Sequence, residues 1–226
     1  MFSGFDAEMI PFFLDLRFHN SREFMDANRE RYAAHVRAPF YAFIDALSPR
    51  LQELIPDLET RPNKCLSRIN RDTRFSRDKS PYRDHLWVSW RRMGVGRDGE
   101  PFFWFEAGPD DVSWGMGVWG ENRDLFDHLR VNIAAKPAEY LRLMDVLESA
   151  DCAMGGQRWK KMTVPDGVPS RLGELYRSRS IYLEKLHIDP GWIYSPSICD
   201  RVFETYAALF PFYKAFRGCI PDEEKA

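Results

Sequence analysis

Three regimes of apolar spacing follow one another along the chain, and their order limits the fold more than any single motif does. From Asp6 to Phe18 apolar residues recur at helical spacing, with Met9, Phe13 and Leu16 on one face and Asp6 placed to cap the start. Asn20 or Ser21 can cap a second helix over Arg22–Arg37, which turns Phe24, Met25, Ala27, Tyr32 and Val36 partly inward. Pro39 interrupts or opens a third helix, Phe40–Leu54, whose stripe is Phe43, Ile44, Leu47, Leu51 and Leu54. Pro56 and Pro62 close this helical part.

The pattern then changes period. Lys64–Asn70, Asp84–Arg92, Pro101–Ala107 and Val112–Val118 read as strands, with a hairpin turn predicted at Gly94-Val95-Gly96-Arg97-Asp98-Gly99. Helical spacing returns at Asn122–Ala134 and Pro137–Ser149. A hairpin-like piece is expected around Trp159–Val164 and a short helix near Leu172–Arg177. A strand over Ser180–Ile188 and a closing helix over Asp200–Phe216 complete the chain. Helices, then hairpin-linked strands, then helices predict an α+β fold: a mainly antiparallel sheet packed with N-terminal, middle and C-terminal helices. No internal repeat or linker divides residues 1–226, so one domain is expected.

At 226 residues the chain can bury a core without disulfide staples. Cys65, Cys152, Cys199 and Cys219 lack the C-x-x-C spacing of a zinc or redox site and read as free thiols in a reducing compartment. Residues 1–16 carry Asp6, Glu8 and Asp15 without a basic leader or a cleavage site. No run reaches the ~20 apolar residues of a membrane helix. The cytoplasm is therefore the expected location, with no membrane partner. A net charge of −2 argues against nucleic acid as a partner.

Positive charge is nevertheless concentrated in one place. Residues 68–83 read Arg-Ile-Asn-Arg-Asp-Thr-Arg-Phe-Ser-Arg-Asp-Lys-Ser-Pro-Tyr-Arg, with six basic and two acidic side chains. That local charge of +4 leaves −6 for the rest of the chain. Ser80-Pro81 disfavours a long helix here, so the segment reads as a structured loop. Guanidinium forks, hydroxyls and loop N–H groups form the donor set of a phosphate or carboxylate site. The alternative is that Asp72 and Asp78 pair with the arginines and brace the loop. Two carboxylates cannot satisfy six cations, so at least four basic groups need other partners.

The same sixteen residues resemble the signature of the domain-of-unknown-function 2461 (DUF) family, uncharacterised bacterial and fungal proteins. Phe13-Leu14, Leu16, His19-Asn20, Arg22-Glu23-Phe24, Asn28-Arg29, Tyr32 and Pro39 resemble that family's helical lead-in, and Gly115, Gly117 and Trp119 its glycine-rich strand. His19, Phe24-Met25 and Gly120 depart from the usual pattern. The resemblance implies no activity or cofactor, and it marks the long loop as the family's hallmark.

The residues therefore predict that a small anionic ligand binds through Arg68, Arg71, Arg74, Ser76, Lys79 and Tyr82. An enzyme acting on such a ligand would draw proton-transfer groups from His85, Asp72 or Glu106. A third reading is an internally salt-bridged structural or protein-contact loop. Gly115-Met116-Gly117-Val118-Trp119-Gly120 fits G-x-G-x-x-G but lacks the βαβ context of a dinucleotide site, and a strand with glycines where something packs closely, a ligand included, explains it better. The five histidines show no metal-ligand spacing, so no metal site is expected, and no motif implies a cofactor.

Overall fold

The computed structural model describes residues 2–95, 99–120 and 122–220. Five strands form one antiparallel sheet in the order β1-β2-β3-β5-β4: β1 Leu86–Trp90, β2 Pro101–Ala107, β3 Val112–Val118, β4 Cys152–Gly155 and β5 Ile181–Lys185. The helices are α1 Met9–Phe18, α2 Arg22–Ala27, α3 Arg29–Tyr32, α4 Ala38–Leu54, α5 Pro62–Cys65, α6 Arg123–Ala135, α7 Pro137–Ser149, α8 Gly173–Tyr176 and α9 Ile198–Arg217. The fold is α+β, as the order of spacings predicts. The chain divides into two compact units. One comprises Met1–Trp90, Trp104–Trp114 and Ile188–Phe203; the other comprises Arg91–Phe103, Gly115–His187 and Glu204–Ala226. Strands β2 and β3 each supply residues to both.

In the first unit the core is aromatic. Phe105 stacks on Phe5 at 5.5 Å and meets Phe43 at 4.7 Å, while Phe43 contacts Trp90 and Phe105 contacts Trp114. All five rings are at most 5% exposed. Burying each contributes about 1.5–3 kcal/mol, with aromatic pairing adding about 0.5–1.5 kcal/mol. The Trp90 indole N–H donates to Ser48 Oγ at 3.1 Å, which satisfies its only polar atom.

The second unit contains the β3–β5–β4 part of the sheet. Gly115 pairs with Glu184 and Gly117 with Tyr182. A Cβ on Gly115 would lie 1.9 Å from the Leu183 carbonyl oxygen. The glycine pattern is thus a close backbone approach in an antiparallel pair, not a dinucleotide turn. Phe103 stacks on Tyr206 and Tyr213 of α9. Arg130, 9% exposed, donates to the carbonyls of Tyr176 and Ser178 and pairs with Asp127.

Several boundaries depart from the sequence reading. Asp6 does not cap α1 directly; its carboxylate accepts the Glu8 N–H and Glu8 is the cap residue. Ser21 caps α2 as expected, its hydroxyl accepting from the Phe24 N–H at 3.1 Å. The predicted helix 22–37 is broken at Asn28, and Ala33–Arg37 winds as a π-helical turn. Pro39 sits in the first turn of α4, where its missing N–H costs nothing. Lys64–Asn70 is not a strand. Pro62 opens the helical turn α5, and the rest pairs only at isolated bridges, Leu66 with Val88 and Asn70 with Tyr82. No strand forms at 159–164; Arg158 just before it makes an isolated bridge to Ser178, the Trp159 N–H donates to the Arg177 carbonyl at 2.8 Å, and the short strand is β4, a few residues earlier. The predicted turn at 94–99 includes residues 96–98, which lie outside the described residues. No described helix is long and apolar enough to cross a membrane.

Candidate functional site

The arginine-rich segment forms a closed loop of the first unit. The Arg71 N–H donates to the Pro81 carbonyl at 2.9 Å, and the Arg83 N–H donates to that of Ile69 at 2.8 Å. Asn20 fixes this base from outside. Its side chain donates to the Tyr82 carbonyl and accepts from the Tyr82 N–H, both at 3.0 Å. On the side of Tyr82 away from Asn70, one amide thereby takes the place of a strand neighbour.

Beyond the base, the loop satisfies much of its own charge. Arg71 pairs with Asp78, Arg74 pairs with Asp72 at 2.6 Å, and Lys79 donates to the Thr73 carbonyl at 2.8 Å. The Arg74 side chain holds the Asp72 carboxyl down to about 2. Asp78 is also held to about 2, through Ser80 first and then Arg71. Ser76 is held by a backbone bond to Thr73, and Phe75 at the tip is 95% exposed. Of the six residues expected to bind a ligand, four are therefore placed along this self-braced tip. The other two, Arg68 and Tyr82, open elsewhere.

They open onto a cleft of about 450 Å³. One wall is a helical stripe: Met25, Arg29, Tyr32, Ala33, Arg37 and Tyr41. Arg29, Ala33, Arg37 and Tyr41 recur every fourth residue and so share a face through the π-helical turn. Such turns often accompany functional sites. The other wall is Asn63, Leu66–Asn70 and Tyr82. No Asp or Glu lines the cleft. Arg29 is paired with Asp26 at its edge. Among the described residues, neither Arg37 nor Arg68 has a carboxylate partner; the Arg37 guanidinium lies over the Tyr32 ring at 5.9 Å. Tyr32 and Tyr82 are 9% and 8% exposed, and their hydroxyls have no hydrogen-bond partner among the described residues. Burial pushes the Tyr32 phenol up to about 12, so it stays a donor.

A second cluster follows the loop. Arg17 bonds Asp84 at 2.6 Å through Nε and grips Asp110 with both terminal nitrogens at 2.9 and 2.5 Å. Asp84 also meets His85 Nδ1 at 3.0 Å, and His85 Nε2 lies 3.9 Å from Glu106 Oε1. A Cβ on Gly108 would lie 2.7 Å from His85 Cβ and 3.4 Å from the Asp84 carbonyl oxygen, so the β2–β3 turn packs tightly against the backbone at 84–85. Burial raises Asp84, but the hydrogen bonds from His85 and Arg17 outweigh it and hold the carboxyl below its usual value. Burial raises Glu106 above its usual value. Two of the predicted acid–base candidates, His85 and Glu106, are thus neighbours; Asp72 is committed to Arg74 in the loop.

The family model described as Conserved hypothetical protein (DUF2461) matches residues 8–214. The chain belongs to the DUF2461 family. No curated protein matches it. The DUF2461 match takes in the whole cleft and the His85 cluster, and its description names no reaction or ligand. Arg37, Tyr32, Tyr41 and Asn63 were not predicted as site residues in this DUF2461 chain. Their only sequence signal is the fourth-residue recurrence of Arg29, Arg37 and Tyr41 beside the apolar face. That signal gains meaning only when residues 63–70 fold against it.

Proposed function

We propose that this chain binds a small anionic ligand, bearing phosphate or carboxylate, in the cleft between the helical stripe 25–41 and residues 63–70. The observation that carries this reading is that Arg37 and Arg68 line a cleft without a single carboxylate. Two guanidinium groups facing one space repel each other. An anion placed there gains charge-assisted, bidentate hydrogen bonds from both. The loop tip supports a narrower role for Arg71 and Arg74, which brace the loop on Asp78 and Asp72.

A thermal-shift screen with inorganic phosphate, phosphate monoesters and small dicarboxylates tests the proposal. A ligand at about 100 times its Kd adds about 2.7 kcal/mol, or roughly 5–10 °C in Tm for a chain of this size. The shift is expected to vanish in Arg37→Ala and in Arg68→Ala and to persist in Arg74→Ala. A screen without any shift, or a full shift in both cleft variants, counts against the proposal.

A second reading, proton-transfer chemistry, is favoured by one observation: His85 Nε2 and Glu106 Oε1 are 3.9 Å apart, with Asp84 orienting the imidazole. It requires a substrate whose turnover is lost in folded His85→Ala.

A further inference from the structure

Two like charges on one cleft push its walls apart, so the cleft needs a tie that holds them in place. Among the described residues no hydrogen bond or ion pair runs directly between the helical stretch 22–41 and residues 63–70 or Tyr82. The tie is made from outside the lining. Asn20 lies between α1 and α2, just before the helix whose Met25 begins the helical wall. By sequence, Asn20 and Ser21 are alternative caps for α2. Ser21 takes that role, which leaves the Asn20 amide for another partner. That partner is the backbone of Tyr82, bonded through both its N–H and its carbonyl at 3.0 Å.

Tyr82 carries the opposite wall with it. It bridges to Asn70, and the bonds from the Arg71 N–H to Pro81 and from the Arg83 N–H to Ile69 bracket that bridge. Residues 69–71 and 81–83 therefore hold together as one short ladder, with Arg68 directly before it. The Asn20 side chain suits its place because one planar group offers a donor and an acceptor side by side, matching a backbone carbonyl and N–H. An aspartate would set a carboxylate oxygen against the Tyr82 carbonyl.

Given the anion site proposed above, on which this assignment rests, we infer that Asn20 is its positioning residue. Asn20 does not line the cleft. It fixes residues 68–70 and Tyr82 against the helical stretch that carries Arg37, and so sets where Arg68 meets an anion that Arg37 also holds. Charge-assisted bonds form over a narrow range, about 2.7–2.9 Å, so a small drift of one wall loses a contact.

Calorimetric titration of the full chain with inorganic phosphate, glycerol phosphate and succinate, together with amide hydrogen exchange, tests this. Asn20→Ala is expected to weaken the tightest of these probes about tenfold or more, the loss of one charge-assisted contact, at a temperature where circular dichroism shows the variant folded. The Arg71 and Arg83 N–H groups, whose acceptors the substitution leaves intact, are expected to exchange faster. Asn20→Ser can keep one of the two bonds but not both, and the same outcomes are read from it should Asn20→Ala not fold. Ser48→Ala removes a buried hydrogen bond of the same unit outside the lining, and is expected to lower stability without changing affinity. Equal affinity in the wild type and the Asn20 variant, or a fall matched by Ser48→Ala, overturns the positioning role and leaves the anion reading standing. Weaker binding with unchanged exchange at Arg71 and Arg83 overturns it as well, because the wall has then not loosened. If none of the three probes binds the wild type, both readings fall together.

Discussion

Asp84 and Glu106 flank one imidazole and titrate in opposite directions. Asp84 gains hydrogen bonds from His85 and Arg17, which hold it ionised; Glu106 gains mainly burial, which holds its proton. The consequence for stability has opposite signs. Glu106 keeps its proton in the folded chain where the unfolded chain has already lost it. Its favourable contribution is therefore complete below the ordinary 4.5 and declines as pH rises from there through its folded value. Glu106→Gln has no proton to lose. Relative to the variant, the wild type should be less stable at pH 7 than at pH 4, by no more than about 2 °C in Tm, because the carboxyl is 41% exposed and partly screened. Melting curves of both proteins at the two pH values decide this. A difference that grows on acidification instead would show that the His85 contact outweighs burial.

At the scale of elements, pattern and packing diverge in instructive ways. β2, β3 and α7 begin and end where alternation, helical spacing and Pro137 place them, because their local preference and their burial agree. The stretch 62–70 shows the opposite. Its alternation reads as a strand, yet Pro62 favours a helical turn and Ser67 pairs with Trp87 only locally. The loop was half legible. Counting cations against carboxylates shows that it cannot satisfy itself, and Arg71 and Arg74 do take the two carboxylates. Which remaining cation faces a cleft depends on the bend at 69–71 and on helical residues some thirty positions earlier. No local pattern carries that information. The glycines of β3 were legible because their chemistry is local. Gly115→Ala places a methyl against the Leu183 carbonyl and should destabilise the chain by more than about 2 kcal/mol in urea unfolding. Gly167→Ala, where a Cβ meets nothing within 4 Å, should change stability by less than about 0.5 kcal/mol. Equal effects at the two positions would remove close approach as the reason for Gly115.

At the scale of the whole molecule, chain connectivity bears on cooperativity. The chain passes between the two compact units five times, and three passages fall inside an element: within β2 after Phe103, within β3 after Trp114 and within α9 after Phe203. A unit that melted alone would have to end two strands and a twenty-residue helix part-way along, breaking ladder and helical hydrogen bonds at each cut. Separate domains usually meet at linkers, where such a cut costs little. We therefore expect one cooperative transition in scanning calorimetry, with calorimetric and van't Hoff enthalpies in a ratio of about 1. The cleft lies wholly within the first unit, which sharpens the expectation. An anion bound there should carry the entire transition to higher temperature, including the signal from tryptophans of the second unit, because mass action stabilises whatever unfolds together with the site. If the anion moves only part of the heat-absorption peak, or the peak resolves into two without ligand, the units unfold independently and the shared strands do not couple them.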